Sequence, residues 1–394
     1  MSLVATAPIW ADQEVATAPD GLRPGDAQVV IVGAGLTGTA LAVFLAEAGW
    51  APLVLEARSA PGCGISGRDT GLALPILNDT PHRLIAALGT SAAREVVAFV
   101  QASIDLGTQW GVLSQAGALM AAGIPQEVAQ HADDAEALRA LGVSAEAWTP
   151  QEVAQRSGCT EFGPGLWVPQ AGLVARNATR VLAQRAQSAG ARFVYGCPVT
   201  GLLSEGAHTQ VLTPTGATNA DVVILATGHT LAQVDPWFAD KAYPVRTQLM
   251  ATSPMSQALP FPIRTQLGHA QLVAGPDKQL VSTGCRWATP HLEAGEADDT
   301  VVSPAVHDKL VALTARHRPD APDPTHQWSA IMTFTCDGLP LVGPIPGRSR
   351  VLSCTGFAGH QAALGIGAAR AVADGLLGES NIEVPELFSL SRFV

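Results

Sequence analysis

The chain has 394 residues, 47% of them hydrophobic and 14% charged, with a net charge of −11. That length predicts two domains, and that apolar content a large packed interior, which excludes a disordered chain. The acidic balance argues against nucleic acid and anionic membranes as partners.

Residues 1–26 are Ala/Pro/Asp-rich and aperiodic, a leader laid over the surface with Trp10 as its anchor. Residues 1–20 hold no Lys or Arg and do not read as a signal peptide. No apolar run approaches the ~18 residues of a membrane span. The first clear element is a β-branched strand, Val29-Val30-Ile31-Val32, followed by Gly33-Ala34-Gly35-Leu36-Thr37-Gly38. A helix is expected from Thr39 to Gly49, then a strand, Pro52 to Leu55, ending in Glu56. This is the order of a dinucleotide site. Gly33 allows the tight turn, Gly35 lets a pyrophosphate approach the backbone, and Gly38 lets helix pack on strand. The helix N-terminus favours phosphate, and Glu56 is placed to accept from a ribose hydroxyl.

The stretch from Gly62 to Gly71 (Gly-Cys-Gly-Ile-Ser-Gly-Arg-Asp-Thr-Gly) is too glycine-rich for a regular element and reads as a loop that wraps a ligand. Helices are expected over 81–106 and 126–141, and Thr149-Pro150-Gln151-Glu152 is a capping box. A helix from Asn177 to Ala189, a strand Arg192 to Tyr195 and a buried strand from Asp221 into Ala226-Thr227-Gly228 repeat the nucleotide-domain pattern. Residues 243–290 alternate and are broken by Pro and Gly, which predicts antiparallel strands. A charged, turn-rich patch (His291 to Asp299), a helix (Ser303 to His317) and a linker (Pro319 to Pro324) follow. The last unit runs from Trp328 through Asp337-Gly338-Leu339-Pro340 and the strand Val351 to Thr355. It ends in a second glycine-rich strand-to-helix turn, Gly356-Phe357-Ala358-Gly359-His360. Two such turns can embrace one extended cofactor from both ends. The six cysteines are scattered without a C-x-x-C, which removes a redox dithiol and fits a cytoplasmic protein. No metal cluster stands out.

The glycine-rich turn, Glu56, the Ser66-Gly67-Arg68 loop, Ala226-Thr227-Gly228, Asp337-Gly338-Leu339-Pro340 and Gly356-Phe357-x-Gly359-His360 together resemble the D-amino-acid-oxidase superfamily of flavoproteins. The loop and the Trp-bearing leader are most similar to its gamma-glutamylputrescine oxidoreductase branch, near the glycine and sarcosine oxidases. The resemblance implies an α/β Rossmann-like FAD-binding domain (27–93, 155–238 and 325–394) with an inserted α+β, antiparallel-sheet substrate domain (94–154 and 239–324). It implies that Gly33, Gly35, Leu36, Thr37, Gly38, Glu56, Ala57 and Arg58 hold the ADP half of FAD. Gly64, Ser66, Gly67 and Arg68 then lie along the pyrophosphate and flavin. Val199 offers its backbone to adenine, and Ala226, Thr227 and Gly228 complete the cradle. Gly356, Phe357, Gly359, His360, Gln361 and Ala362 approach the flavin ring.

The chain departs from that pattern at several positions. The loop reads Ile65-Ser66-Gly67-Arg68-Asp69-Thr70-Gly71 where the branch has Ala-Ser-Gly-Arg-Asn-Gly-Gly. Gln361 replaces a glycine, and Ala330 stands where sarcosine oxidases tether FAD through cysteine, so non-covalent FAD is expected, with Cys336 close by in sequence. Ala362-Ala363-Leu364 replaces the region that carries an oxygen-activating lysine in those oxidases.

The implied reaction is oxidation of the C–N bond of a small amine or amino acid by hydride transfer to flavin N5, with hydrolysis of the imine. His360 and Gln361 beside the flavin, and Arg286, are the candidate catalytic residues. Arg264 or Arg286 offers an arginine fork to a substrate carboxylate. Tyr243, Gln248, Trp328 and Met332 are expected near the cleft. A dehydrogenase or FAD-binding assembly subunit with an acceptor other than O2 is the alternative. The amine, the acceptor and any homo-oligomer stay open.

Overall fold

The computed structural model describes residues 3–10, 26–77, 80–205 and 208–394. One eight-stranded sheet has at its centre the parallel strands Arg192–Val194, Leu53–Leu55, Ala27–Val32, Gly216–Leu225 and Arg348–Thr355, side by side in that order. Antiparallel strands His208–Thr213, Gly201–Glu205 and Leu341–Ile345 extend it. Val30 and Val32 pack on one face with Leu53, Leu55, Val223 and Phe238. Val29 and Ile31 pack on the other with Val54, Ile224 and the helices. Burial of both faces is why these strands read as unbroken apolar runs.

The helix Leu36–Glu47 packs between Ala178–Ser188 and Gln361–Leu377 and is buried from Leu36 to Ala46. Each fully buried leucine there, such as Leu41, contributes about 1.5–3 kcal/mol of transfer free energy. The helix begins at Leu36 rather than at the expected Thr39, because the backbone turns helical directly after the extended Gly35. Gly38 therefore lies in the first turn, where a Cβ would sit 1.9 Å from the carbonyl oxygen of Gly33. The expected helix over 81–106 is two helices, Pro81–Leu88 and Thr90–Gln109, separated by Gly89 at φ +76°.

A second eight-stranded sheet has the order Pro324–Thr335, Ala242–Thr252, Leu280–Gly284, Ala270–Ala274, Ile263–Thr265, Ala118–Ala121, Gly165–Val168, Glu146–Trp148. All its pairs are antiparallel except Ile263–Thr265 with Ala118–Ala121. Three segments cross the boundaries expected from sequence. Gly165–Val168 and Pro324–Thr335 belong to this sheet rather than to the nucleotide-binding layer, and Thr90–Gln109 packs on Gln361–Leu377 in the nucleotide-binding layer. Strand partners lying far apart in sequence carry no local signal, so a linear pattern does not show which sheet these strands join.

The leader is tied down where it is described. Leu3–Val4 pairs antiparallel with Val301–Val302. Trp10 packs edge-on against the buried Trp328, with ring centroids 5.1 Å apart. Residues 11–25 lie outside the described set.

Gly38→Ala is expected to destabilise the fold by on the order of 1–3 kcal/mol, because its methyl meets backbone that cannot give way. Thermal unfolding of the variant beside the parent checks this.

Candidate active site

The glycine-rich turn is cross-braced. The Ala34 N–H donates to Glu56 Oε2 at 2.7 Å, and the Arg58 N–H donates to Oε1 at 2.8 Å. Burial pushes the Glu56 carboxyl above its ordinary range against the opposing effect of those N–H bonds. The Leu36 N–H, at the helix start, donates to Ser66 Oγ at 3.0 Å. A cleft of about 140 Å³ runs along these groups. From the turn it is lined by Gly33, Gly35, Leu36 and Thr37, and from the second strand by Glu56, Ala57 and Arg58. The loop contributes Gly64 and Ser66, and the facing turn Ala226, Thr227 and Gly228. Phe357 and Gln361 line it from the C-terminal turn.

Other expected residues stand outside that lining. Gly38 supports the turn from behind. Gly67 and Arg68 border a neighbouring cavity, shared with Trp10 and Arg176. Val199 packs its side chain against the core cluster containing Val194 and Val211. Gly356, at φ +76°, packs on Leu341 and Thr335, and Ala362 is buried in the C-terminal helix. Gly359 and His360 open into the next cavity. Ile65, His229, Ile331, Thr355 and Ala358 line the cleft without having been singled out from sequence. They come from short turns, a strand end and, for Ile331, the interior of Pro324–Thr335, none of which has a motif of its own.

Partners remote in sequence hold the loop. Arg68 Nε donates to the Ser329 carbonyl at 2.7 Å, and Trp328 Nε1 donates back to the Arg68 carbonyl at 2.7 Å. Trp10 Nε1 donates to the Gly67 carbonyl at 2.9 Å. The Arg176 guanidinium stacks 3.7 Å over the Trp10 ring and donates to the Asp69 carbonyl. Asp299 Oδ2 pairs with Arg58 at 2.7 Å and Arg68 at 3.6 Å. The charged patch holding Asp299 therefore clasps the loop. It also buries Glu293 on Arg246 at 2.6 Å, with Gln248 donating to the same carboxylate. Gln248 is thus a buried brace outside both cavities. Tyr243 is exposed, and Trp328 is buried behind the loop.

A second cavity of about 190 Å³ adjoins the cleft, sharing Met332 and Ala358 with it. Asp69, Arg264, His269, Gln271, Arg286, Phe334 and His360 line it. His360 and Arg286 are therefore brought to one cavity, while Gln361 faces the cleft and donates to Asp69 Oδ2 at 2.8 Å. Burial, aided by the charge of Arg264, depresses the His360 pKa to about 3, so the imidazole is neutral at physiological pH. Burial also lowers the pKa of Arg286, whose Nη1 donates to the Leu292 carbonyl at 3.3 Å and whose guanidinium lies 5.2 Å from the Phe334 ring centre.

A sequence model described as FAD dependent oxidoreductase, DAO, matches residues 28–375. The chain belongs to that family. It is 25% identical over 383 residues to a tRNA 5-methylaminomethyl-2-thiouridine biosynthesis bifunctional protein of Polaromonas naphthalenivorans, covering 89% of this chain and 56% of that one. The chain thus spans about half the length of that relative. It is 26% identical over 282 residues to a D-amino acid dehydrogenase of Granulibacter bethesdensis, covering 66% of this chain and 64% of that one. Glycine oxidase from Geobacillus kaustophilus shares the fold with a TM-score of 0.77 at 21% identity, over 94% of this chain and all of the other. L-proline dehydrogenase from P. horikoshii shares it at 0.78 and 19% identity, over 94% and 98%.

The chain is an FAD-dependent oxidoreductase of this family, and its cleft fits the cofactor. Gly33 has no room for a side chain, since a Cβ would lie 2.5 Å from the Ala226 carbonyl oxygen. At Gly35 a Cβ would stand 3.1 Å from Ser66 Oγ, in the path a pyrophosphate takes. Thr227 Oγ1 is buried beside the cleft with no hydrogen-bond partner among the described residues, a polar atom suited to a ligand. Among the described residues no helix is long and apolar enough to cross a membrane.

Gly35→Glu is expected to abolish FAD retention, read as loss of the yellow colour and of the visible flavin absorbance through purification. A second expectation concerns acid. The folded pKa of His360 lies below its unfolded value of about 6.5, so the unfolded chain binds more protons between those two values. Its contribution to stability is full above pH ~6.5 and declines as pH falls toward ~3. His360→Gln should therefore lose less melting temperature than the parent between pH 7 and pH 4.5, whereas equal losses would contradict it.

Proposed function

We propose that the chain oxidises the C–N bond of a small amine or amino acid, using non-covalent FAD. The observation that carries this reading is that a small cavity lined by charged and polar groups adjoins the nucleotide cleft, the two sharing Met332 and Ala358 in their walls. When bound, FAD supplies a hydride acceptor. The protein's part is to bind and orient the substrate, exclude bulk water and keep the reacting groups close. Arg264 and Arg286 suit a carboxylate, and neutral His360 adds no competing charge toward an amine. Non-covalent attachment is supported by Ala330, buried where a tether would stand, and by Cys336, which is exposed on a turn outside the cleft lining. Cys354 borders the cleft, but burial pushes its thiol pKa far up, away from reactive thiolate.

A non-oxygen electron acceptor is the second reading. It is favoured by Ala363, which is buried at the start of the flavin-facing helix with no basic side chain among Ala362, Ala363 and Leu364. The tRNA-related names of several relatives suggest an amine carried on RNA. The net charge of −11 favours a free small molecule.

Anaerobic mixing of the yellow protein with glycine, D- and L-amino acids, N-methyl amino acids and polyamines should bleach the flavin with at least one amino compound. Bleaching by none of them would remove the reading. On admission of air, slow or absent peroxide release is expected, and fast release would favour an oxidase.

A further inference from the structure

We propose that Asp69 receives the amino group of a substrate whose carboxylate is held by Arg286, which makes the cavity a receptor for a zwitterionic amino acid rather than for a simple amine. The inference rests on the C–N oxidation reading above and narrows its substrate.

The cavity is lined from both layers of the molecule, with opposite charges. Asp69 comes from the glycine-rich loop of the nucleotide-binding layer. Arg286 follows the strand Leu280–Gly284, and Arg264 lies within Ile263–Thr265, both in the antiparallel layer. The carboxylate of Asp69 stands on the cofactor side. It accepts from Gln361 Nε2 at 2.8 Å, and Gln361 itself lines the cofactor cleft. An amine bound at Asp69 is thereby placed next to the boundary between cavity and cleft, while Arg286 lines the cavity and not the cleft. Orientation of that kind presents the carbon beside nitrogen to the cofactor.

Among the described residues, the hydrogen bonds to the Asp69 carboxylate come from neutral donors, Gln361 Nε2 and the Thr70 N–H. Arg176, the cation that acts on it, directs Nη1 to the Asp69 carbonyl and stacks on Trp10. Burial pushes the Asp69 carboxyl above its ordinary range, against the opposing effects of the Thr70 N–H, Arg176 and Gln361, and a cationic ligand would favour the ionised form. An ionised carboxylate has about four acceptor sites, so capacity remains for an ammonium group. A half-buried carboxylate held by neutral donors gains strongly from a cationic ligand, because a charge-assisted hydrogen bond is about twice as strong as a neutral one. The cavity volume of about 190 Å³ suits a small amino acid and lies below the roughly 300 Å³ at which sites for drug-sized ligands begin.

The test uses the yellow holoprotein without oxygen and matched ligand pairs, glycine with glycolate and alanine with lactate, in which a hydroxyl replaces the ammonium. Affinity is read from perturbation of the flavin spectrum or from saturation of the bleaching rate. The parent should bind each amino acid at least tenfold more tightly than its hydroxy acid, a comparison that needs no variant. In Asp69→Asn, which keeps an oxygen for Gln361, that preference should fall below about threefold with hydroxy-acid affinity unchanged within twofold. Arg286→Met should weaken both members of each pair by tenfold or more. Absence of the preference in the parent, or its survival in Asp69→Asn, would overturn the proposal. Amino acids that bind preferentially and yet never bleach the flavin would instead overturn the C–N oxidation reading and leave the Asp69 assignment standing.

Discussion

The close approach of Gly38 to the Gly33 carbonyl is the constraint around which the nucleotide-binding layer forms. A Cβ at Gly38 would stand 1.9 Å from that oxygen, so helix and strand can pack at this separation only without a side chain. The tight packing brings the start of the Leu36–Glu47 helix directly over the end of Ala27–Val32. It leaves the Ala34 and Leu36 N–H groups pointing into the turn, where Glu56 and Ser66 accept them. Each buried N–H satisfied in this way avoids a cost of about 1–3 kcal/mol. The second strand and the Ser66 loop are thus drawn to the turn by its own backbone donors.

The antiparallel layer completes the site. Pro324–Thr335 pairs with Ala242–Thr252 in register from Ala242–Thr335 to Ala251–His326. That long ladder carries Ile331, Met332 and Thr333 into the cofactor cleft and places Trp328 and Ser329 against Arg68. Asp299 adds a partly buried charge shared by Arg58 and Arg68. Exposed ion pairs contribute about 0–1 kcal/mol. This one is partly desolvated and joins two loops distant in sequence, so its structural leverage is larger. The leader joins the same assembly through Trp10, which is bonded to Gly67 and stacked under Arg176. The loop from Gly62 to Gly71 is therefore shaped by four distant segments.

Much of the cofactor cleft was legible from local pattern. Gly33, Gly35, Glu56, Ser66 and Thr227 line it because each stands at a strand end or a glycine-rich turn, where backbone geometry dictates residue type. The adjoining cavity was legible only in part. His360 and Arg286, both candidates from sequence, line it together. Asp69 was read only as a departure within a loop, since a single acid there says nothing of Gln361, which is 292 positions away. The patch from His291 to Asp299 was read as charged and turn-rich, yet Glu293 is buried on Arg246 and Asp299 reaches two arginines across the molecule. Charge in a turn-rich segment has the same local appearance whether it is solvated or paired.

By itself the sequence determined the parallel strands, the two glycine-rich turns and the class of cofactor, because glycine spacing and β-branched runs act over distances of a few residues. Only the tertiary structure decided which strands form the second sheet, which arginines clasp the loop, and that Asp69, Arg286 and His360 line one cavity. Those relations depend on strand pairing and charge contacts between residues far apart in the chain. Their free energy comes from desolvation and packing in three dimensions, and a linear pattern carries no record of it.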